Sequence, residues 1–278
     1  MSAITWLASY PKSGNTWVRM FLSAYSTDSL DINRPALSTG DNHPYCWQNA
    51  AMKPITELTD GEKLLLRPAA LLHLLEMKFQ GANPFLVKTH WFNMVLEGCQ
   101  TIPQMLTKRA VYVLRDPRDV AISFSRHFSS TVDEAIEAMG QERHAILDEK
   151  KLPSVTGTWS AHVESWTKSK PYPVGVMKYE EMLDDPVRRF TGMLEFLEMP
   201  LDEARIARAI AACSFDRLQA QESEKGFRER KGDAPFFHTG KAGGWQDKLS
   251  DKQVRRIERD HGEVMTAQGY ELAYAEAA

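Results

Sequence analysis

The feature that most constrains this chain is a short apolar run that leads through a loop into a helix. Residues 4–8 are typical of a buried strand, Pro11 and Gly14 mark a loop, and Thr16 opens a helical pattern. Unpaired amides of the first helical turn and the positive end of the helix dipole converge at such a junction. The stretch therefore predicts an anion-binding loop, to which Lys12 adds a full positive charge.

This loop differs from the phosphate-binding loop of nucleoside triphosphatases, whose pattern is G-x-x-x-x-G-K-[ST]. Aligning that pattern puts Ser9 at the first glycine and Gly14 at the second. Asn15 then takes the place of the lysine, and Thr16 takes the place of the hydroxyl residue. The lysine of this chain, Lys12, lies before Gly14 instead. We expect its ammonium to approach a bound phosphate from another side, nearer the bond that breaks.

Apolar runs further along the chain predict three more strands, over residues 84–87, 110–114 and 174–177. Helical patterns separate them, and this alternation predicts an α/β fold with a central parallel sheet and helices on both faces. Ligands of such sheets bind beyond the carboxyl ends of the strands. Lys12, residues 88–90 and residues 115–119 follow the first three strands, so we expect them to line one site.

Length and composition fit one globular domain. With 278 residues, of which 43% are hydrophobic and 26% charged, the chain can bury one sizeable core, and we predict a single domain over residues 1–278. Residues 28–60 and 219–241 are rich in polar residues and contain Gly or Pro, so we expect them to form lid or substrate loops. A polar helical pattern over residues 131–148 predicts a solvated helical insertion.

Charge and cysteine content exclude several kinds of partner. The formal net charge is −3, so no overall basic field draws the chain to nucleic acid or anionic lipid, and any anion site must be local. The cysteines Cys46, Cys99 and Cys213 include no C-x-x-C pair, which indicates a reduced, cytoplasmic setting without a thiol metal site. No stretch approaches the roughly 20 apolar residues of a membrane span, and the first apolar run is too short for a signal peptide.

The residue after the third strand argues against a metal. A nucleoside triphosphatase would be expected to place a Mg²⁺-organising aspartate there, but Leu114 is followed by Arg115. A guanidinium cannot bind a metal, and its planar fork suits a phosphate, to which Ser123 can add a hydroxyl. The sequence thus predicts a metal-free anion site. The alternative is that Arg115 forms a structural salt bridge with Asp119.

Four stretches of the chain together resemble signatures of the sulfotransferases that use 3′-phosphoadenosine 5′-phosphosulfate (PAPS). Residues 10–17 match Y-P-K-[SA]-G-[TN]-T-W, and residues 115–123 match R-[DN]-P-[RK]-D-x-x-x-S. Residues 88–90 match K-T-H, and residues 179–182 match Y-E-[DE]-M. The resemblance implies a three-layer α/β/α, P-loop-like fold. It also implies sulfuryl transfer from PAPS to a hydroxyl, with 3′,5′-adenosine bisphosphate (PAP) as the product and no metal.

The resemblance assigns residues to the donor site. Those expected to hold the 5′-phosphosulfate are Lys12, Ser13, Gly14, Asn15, Thr16 and Trp17. Arg115 and Ser123 would hold the 3′-phosphate, and Tyr179 would contact the adenine.

Catalysis is expected from His90, Lys12 and Lys88. In the family, the histidine of K-T-H takes the proton of the acceptor hydroxyl, and an imidazole with a pKa of about 6.5 is partly available as a base at neutral pH. Lys12 would stabilise charge on the departing bisphosphate, and Lys88 would stabilise the sulfuryl charge. A structural histidine and a surface lysine are the alternatives for His90 and Lys88.

The C-terminal motif departs from the family pattern R-K-G-x-x-G-[DG]-W. Counting back from Trp245 puts His238 and Thr239 where the family has arginine and lysine. Two alternatives follow for the 3′-phosphate. Either Gly240 and Lys241 hold it, which we favour, or the segment 228–241 folds back so that its Arg-Lys pair, residues 230–231, reaches the site.

Aromatic residues near the expected site indicate an apolar or aromatic acceptor. They are Tyr45, Trp47, Trp91, Phe92, Phe236 and Phe237. Packing in the core or a lid is the alternative role of these residues, and the acceptor could be a phenol, an alcohol, a glycopeptide, a lipid or a nucleoside. Two other functions compete: a small-molecule or nucleoside kinase, and a catalytically silent nucleotide-binding module. The sequence leaves the oligomeric state open, a homodimer included.

Overall fold

The computed structural model describes residues 4–36, 38–41, 44–76, 84, 86–146, 154–232 and 234–274. The strands, in chain order, are β1 (Ile4–Ser9), β2 (Ser38–Gly40), β3 (Leu86–Thr89), β4 (Val95–Leu96), β5 (Cys99–Gln100), β6 (Thr107–Leu114), β7 (Ala145–Ile146), β8 (Ser154–Val155) and β9 (Val174–Lys178). The helices are α1 (Asn15–Thr27), α2 (Pro44–Ala51), α3 (Asp60–Glu76), α4 (Pro117–His127), α5 (Val132–Gly140), α6 (Trp159–Thr167), α7 (Tyr179–Asp184), α8 (Pro186–Phe196), α9 (Glu203–Ala212), α10 (Phe215–Lys225) and α11 (Asp251–Ala267).

Five strands form the central sheet, in the order β2-β3-β1-β6-β9, and every pair in it is parallel. The pairing of β1 with both β3 and β6 puts Trp6 beside Val87 on one side and Ala110 on the other. The strands predicted from the sequence are all present, so the predicted central parallel sheet is confirmed. Because the strands are parallel, their carboxyl ends meet at one edge of the sheet.

The sheet is buried on both faces, which is why its strands are almost continuously apolar. Trp6 and Tyr112 belong to one core cluster, which includes residues of α3, α4, α6 and α11. Leu7 and Val113 point into the other cluster, which includes residues of α1, α8 and α9. Strand residues alternate between the two clusters with a period of two. This arrangement is the three-layer α/β/α fold that the sequence predicted.

Two segments differ from their predicted conformation. Residues 28–60, expected to be a loop, contain the edge strand β2 and the helix α2; three-residue strands such as β2 are too short to leave a period in the sequence. The helix predicted over residues 131–148 ends at Gly140, and Ile136 and Met139 are buried on it. It packs against α4 and α11, so the expected solvated insertion is wrong for this helix.

The other predicted loop, residues 219–241, is helical as far as Lys225, where α10 ends. The described residues beyond it, from Gly226 onward, follow an irregular path that returns to the carboxyl edge of the sheet. Among the helices that the structure describes, none combines the length and the apolar character that crossing a membrane requires.

Candidate active site

A cavity of about 850 Å³ lies at the carboxyl edge of the sheet. Strand ends, the first turn of α1, helix α4 and the segment after α10 form its walls. The lining includes the following predicted site residues: Lys12, Gly14, Asn15, Thr16, Trp17, Lys88, His90, Arg115, Ser123, Tyr179, Phe236, Phe237, Gly240 and Lys241. Residues that are far apart in the sequence therefore meet as the strand-end geometry predicted.

The loop between β1 and α1 has two residues in the left-handed region. Lys12 has a φ of 71° and Gly14 a φ of 105°. A Cβ atom at position 14 would lie 2.7 Å from Cδ2 of Tyr179, so the glycine lets this ring sit against the loop. The carbonyl of Gly14 accepts the amides of Trp17 and Val18, so the first turn of α1 begins directly at this glycine. The first amides of α1 are thereby presented to the cavity.

Several polar atoms beneath the cavity are buried and have no hydrogen-bond partner among the described residues. They include Ser13 Oγ, Asn15 Oδ1 and Arg115 Nε. The amide nitrogen of Asn15 donates to the carbonyl of Leu7 at 3.0 Å, which ties α1 to β1. Buried donors without partners are costly, and a bound anion would satisfy the one at Arg115, which lines the cavity. Ser13 is buried and does not line the cavity, unlike the other predicted residues of this loop. The loop therefore fits a phosphate or sulfate group.

Lys12 lies among cations. Its Nζ sits 3.7 Å above the ring of Phe236. Burial, followed by the charges of Lys88 and Arg115, lowers the pKa of Lys12 to about 7. The ammonium forms no ion pair with a described residue, so an anion bound in the cavity would restore its charge.

His90 follows β3 and lies half-buried at the cavity wall. Its Nδ1 lies 2.8 Å from the carbonyl oxygen of Ser9, and a carbonyl can only accept, so Nδ1 carries the proton. The lone pair of the neutral ring is then on Nε2. Burial and, less strongly, the charge of Lys88 hold the pKa of His90 well below its usual value of 6.5.

Glu229 connects the segment after α10 to the sheet. Its carboxylate accepts from Lys88 Nζ at 3.1 Å and from Arg19 at 2.6 Å. Burial raises the pKa of Glu229, but these two cations outweigh it and hold the pKa well below the usual range. The carboxylate also fixes the ammonium of Lys88 next to His90 at the end of β3.

Arg115 follows β6 and reaches across the cavity. Its guanidinium donates to the carbonyls of Lys12 at 3.3 Å and Lys241 at 3.0 Å, and it stacks 4.3 Å from the ring centre of Tyr179. The distance from its NH2 nitrogen to the carboxylate of Asp119 is 3.9 Å, so the alternative salt bridge is only a loose contact. Asp119 instead accepts the amides of Gly243 at 2.8 Å and Trp245 at 3.0 Å.

Both alternatives for the 3′-phosphate, Gly240 with Lys241 and the pair at 230–231, have at least one residue in the lining of the cavity. Gly240 has a φ of 58°, and the Phe215 ring would collide with a Cβ there. Lys241, Gly240 and Lys231 line the cavity, whereas Arg230 is not among the lining residues. The choice between the two alternatives stays open on this geometry.

The predicted acceptor residues are only partly at the cavity. Trp47 and Trp91 are buried in the core cluster on the β1–β3 side and do not line the cavity, which corrects that prediction. Phe92 also lies outside the lining, and the side chain of Tyr45 lies outside the described part of the structure. Nearness in sequence to the strand ends does not place a side chain at the cavity, and core packing accounts for Trp47 and Trp91.

Sequence reasoning missed several lining residues, among them the charged or aromatic Arg126, His127, Phe128 and Glu229. Arg126 and His127 could have been found, because they follow Ser123 on α4 at the spacings i+3 and i+4. Burial, followed by the charges of Lys12, Lys231 and Lys88, lowers the pKa of His127 to about 3. Across the described residues, no group of three or more His, Cys, Asp or Glu side chains could hold a metal.

A loop at the tip of one strand that fits an anion, facing cations at the tips of its neighbours, is typical of α/β proteins that bind nucleotides at the edge of a parallel sheet. The family model of the sulfotransferase domain matches residues 3–269, and the chain belongs to this family. The prediction of a sulfotransferase is therefore confirmed at the level of the family.

Known relatives extend over nearly the whole chain. Sulfotransferase 1 family member D1 of Rattus norvegicus is 26% identical over 269 residues, which cover 93% of this chain and 82% of the relative. Flavonol 3-sulfotransferase of Flaveria bidentis is 27% identical over 283 residues, 96% of this chain and 83% of the relative.

Solved structures share the fold. A mouse sulfotransferase complexed with PAP superposes with a TM-score of 0.63 at 20% identity, covering 97% of this chain and 87% of that chain. Retinol dehydratase in complex with retinol and PAP gives a TM-score of 0.63 at 21% identity, covering 98% of this chain and 83% of that chain.

Proposed function

We propose that this protein transfers the sulfuryl group of PAPS to a hydroxyl of a small, apolar or aromatic acceptor. The observation that carries the proposal is the meeting of His90, Lys12 and Arg115 in one cavity, at the tips of three neighbouring strands. PAPS supplies an activated sulfuryl group and leaves as PAP.

The donor site is built from this chain's own groups. The loop around Gly14 offers the amides at the start of α1, and Arg115, which lines the cavity, has a buried Nε donor without a partner among the described residues. Tyr179 packs against the loop and against Arg115, which makes a flat surface for an adenine. Lysines and arginines, rather than a divalent ion, would balance the anionic charge.

His90 is the proposed base. Because its Nδ1–H donates to Ser9, the ring keeps one orientation and offers its Nε2 lone pair to the acceptor hydroxyl. Its low pKa keeps it neutral and able to accept a proton at neutral pH. Positioning and charge stabilisation carry most of the rate in such group transfers, so the fixed ring matters as much as its basicity.

Lys12 and Lys88 are the proposed charge-stabilising groups. Lys12 lies in the loop itself, so its ammonium would meet charge that develops on the departing bisphosphate. Lys88 is held beside His90 by Glu229, and from there it would stabilise the sulfuryl oxygens.

The acceptor side of the cavity is apolar. Phe128, Ile146 and Phe236 line it, and the ring of His127 meets Phe236 edge-on with their centres 5.6 Å apart. A flat, apolar acceptor fits these walls better than a polysaccharide does. One relative is named for a flavonol, which is consistent with an aromatic acceptor.

The test of the base is His90→Asn, with His73→Asn on helix α3 as a matched control. We expect the turnover of His90→Asn to fall by roughly 10²–10⁴-fold, while its Kd for PAP, measured by calorimetry, stays within about twofold. Full turnover in this variant would remove His90 from the mechanism.

A panel of phenols, alcohols and amines with labelled PAPS identifies the acceptor. A purified protein that binds PAP but sulfates none of these compounds would favour the catalytically silent nucleotide-binding module.

A kinase would use a different donor, and this can be tested without knowing the acceptor. We expect PAP with EDTA present to raise the melting temperature more than ATP with Mg²⁺ does. A larger shift with ATP and Mg²⁺ would overturn the proposed donor.

A further inference from the structure

Helix α4 presents one continuous face to the cavity. Asp119, Ile122, Ser123 and Arg126 line it at the spacing i, i+3, i+4 and i+7, which is one side of a helix. Arg126 therefore lies one turn beyond Ser123, on the same face. Arg115 lies between the end of β6 and the start of α4. Arg115, Ser123 and Arg126 therefore all come from β6–α4, one strand and the helix that follows it.

Arg126 is a cation that no carboxylate neutralises within the described part of the chain. Arg126 as a residue is half-buried, and its NH1 nitrogen lies 3.4 Å from Nδ1 of His238 in a solvent-exposed contact. Because a guanidinium can only donate, Nδ1 of His238 must be the unprotonated nitrogen. Burial and the charges of Arg126 and Lys248 lower the pKa of His238 in agreement with this. His238 is thus a neutral partner of Arg126 and not a cation itself.

The segment 238–241 touches both arginines of this connection. His238 meets Arg126 at one end, and the carbonyl of Lys241 accepts from Arg115 at the other. Ser123 lies between the two arginines along the chain and faces the same space. Two guanidiniums and a hydroxyl around one space are suited to a phosphate monoester, which offers three acceptor oxygens.

We propose that Arg126 is the second guanidinium of the 3′-phosphate subsite, with His238 holding it in position. The inference rests on the proposed function, because it assumes PAPS as donor. Where the family pattern has an arginine and a lysine, this chain has His238 and Thr239, and Arg126 would supply the missing positive charge. In this arrangement the arginine comes from α4, next to His238, rather than from position 238 or 239 itself. Lys241 then contributes its backbone carbonyl as a support for Arg115.

The test compares two ligands that differ only in the 3′-phosphate, PAP and adenosine 5′-phosphate. For Arg126→Gln we expect the Kd for PAP, measured by calorimetry, to rise about 10- to 100-fold, whereas the Kd for adenosine 5′-phosphate changes less than about twofold. The exposed Arg143→Gln is the matched control and should leave both values unchanged. Equal melting temperatures of the variants show that the fold is intact.

A rescue makes the test independent of any general damage. In the Arg126→Gln background, His238→Arg returns a guanidinium to the same subsite from the neighbouring position, and we expect it to recover at least about fivefold in PAP affinity. If Arg126→Gln keeps the preference for PAP, or weakens both ligands equally, the role of Arg126 is wrong and the proposed function stands. If the unaltered protein does not prefer PAP over adenosine 5′-phosphate, the donor assignment fails, and this inference fails with it.

Discussion

At the scale of single residues, Lys12 shows most clearly that the cavity is organised for an anion. Its backbone is in the left-handed region, which a residue with a Cβ seldom adopts. Its ammonium is placed over an aromatic ring and beside two further cations, without a carboxylate partner among the described residues. Such an arrangement destabilises the free protein, and a bound anion would offset this cost by compensating the positive charge.

The first prediction concerns the pH dependence of PAP binding. Burial and neighbouring cations lower the pKa of Lys12 to about 7 in the free protein, and a bound anion raises it. Below pH 7 the free protein already carries the proton, so Lys12 adds no pH dependence to the Kd there. Above pH 7, binding must take up a proton, so we expect the Kd to rise by up to about tenfold per pH unit. Calorimetry between pH 6 and pH 9 measures it.

Lys12→Met is the control for this pH dependence. The variant should bind PAP more weakly at pH 6.5 and show a flat profile above pH 7, because the titrating group is absent. A profile that keeps its slope in Lys12→Met would assign the proton to another group.

The second prediction concerns the glycine of the loop. At Gly14 an added Cβ would meet the Tyr179 ring at 2.7 Å, and its φ of 105° disfavours other residues. We expect Gly14→Ala to lower the free energy of unfolding by about 1–3 kcal/mol in urea denaturation, and to weaken PAP binding. Gly192→Ala in α8, where nothing lies within 4 Å of the new Cβ, should gain up to about 1 kcal/mol. Equal stability of the two variants would contradict the steric argument.

At the scale of elements, strand ends were predictable and the segment that covers them was not. Apolar runs identified β1, β3 and β6, and the residues after them, Lys12, His90 and Arg115, do meet at one cavity. Ser123, which the sequence places one helical run after Arg115, also lines this cavity.

The segment after α10 has no period of its own, so the sequence could not show that Glu229 reaches β3. Its course depends on side chains far away in the sequence, which no local pattern reports. The prediction that Trp47 and Trp91 contact the acceptor was wrong for a related reason. Both residues are near the site in sequence, but their side chains are buried in the core.

Three carboxylates hold this segment in place. Glu222 accepts the amides of Phe236 at 2.7 Å and Phe237 at 2.8 Å, and Asp119 accepts amides just beyond it. Glu229 forms the ion pairs with Lys88 and Arg19. The wall of the cavity is therefore anchored to α10, α4, β3 and α1 by groups that are themselves buried or half-buried.

The third prediction tests this anchoring. Glu229→Gln removes the charge that compensates Arg19, whose side chain is 7% exposed, so we expect a loss of about 2–3 kcal/mol in the free energy of unfolding. We also expect faster proteolysis between residues 226 and 241 under native conditions, and lower turnover because Lys88 loses its support. The exposed Glu224→Gln should match the unaltered protein in all three measurements. Unchanged proteolysis in Glu229→Gln would contradict the anchoring role.

At the scale of the whole molecule, charge is separated between the cavity and the rest of the surface. The chain has a formal net charge of −3. The described lining of the cavity nevertheless holds eight lysines and arginines and three carboxylates. The expectation that any anion site must be local therefore agrees with the structure. Such separation concentrates positive charge in the cavity, where an anionic ligand would bind, and leaves the chain without a net positive charge.

The distant end of the chain is tied to the same connection that carries the site. Arg118 pairs with Asp116 at 2.7 Å and with Glu258 on α11 at 2.7 Å, and it stacks 3.9 Å from the ring centre of Trp245. Glu258 also accepts the amides of residues 273 and 274, each at 2.9 Å. This buried network holds the stretch after α11 against α4, behind the cavity rather than in it.

The last prediction separates this network from ligand binding. Glu258→Gln leaves Arg118, which is 3% exposed, with one carboxylate instead of two, so we expect the free energy of unfolding to fall by about 3 kcal/mol and the melting temperature by roughly 6 °C. Neither residue lines the cavity, so the Kd of the folded variant for PAP at 20 °C should stay within about twofold of the unaltered protein. The exposed Glu263→Gln on the same helix should leave both quantities unchanged.

A large loss of PAP affinity in Glu258→Gln without a loss of stability would mean that the network positions Arg115 rather than the chain end. An unchanged melting temperature would mean that water replaces the lost charge at little cost.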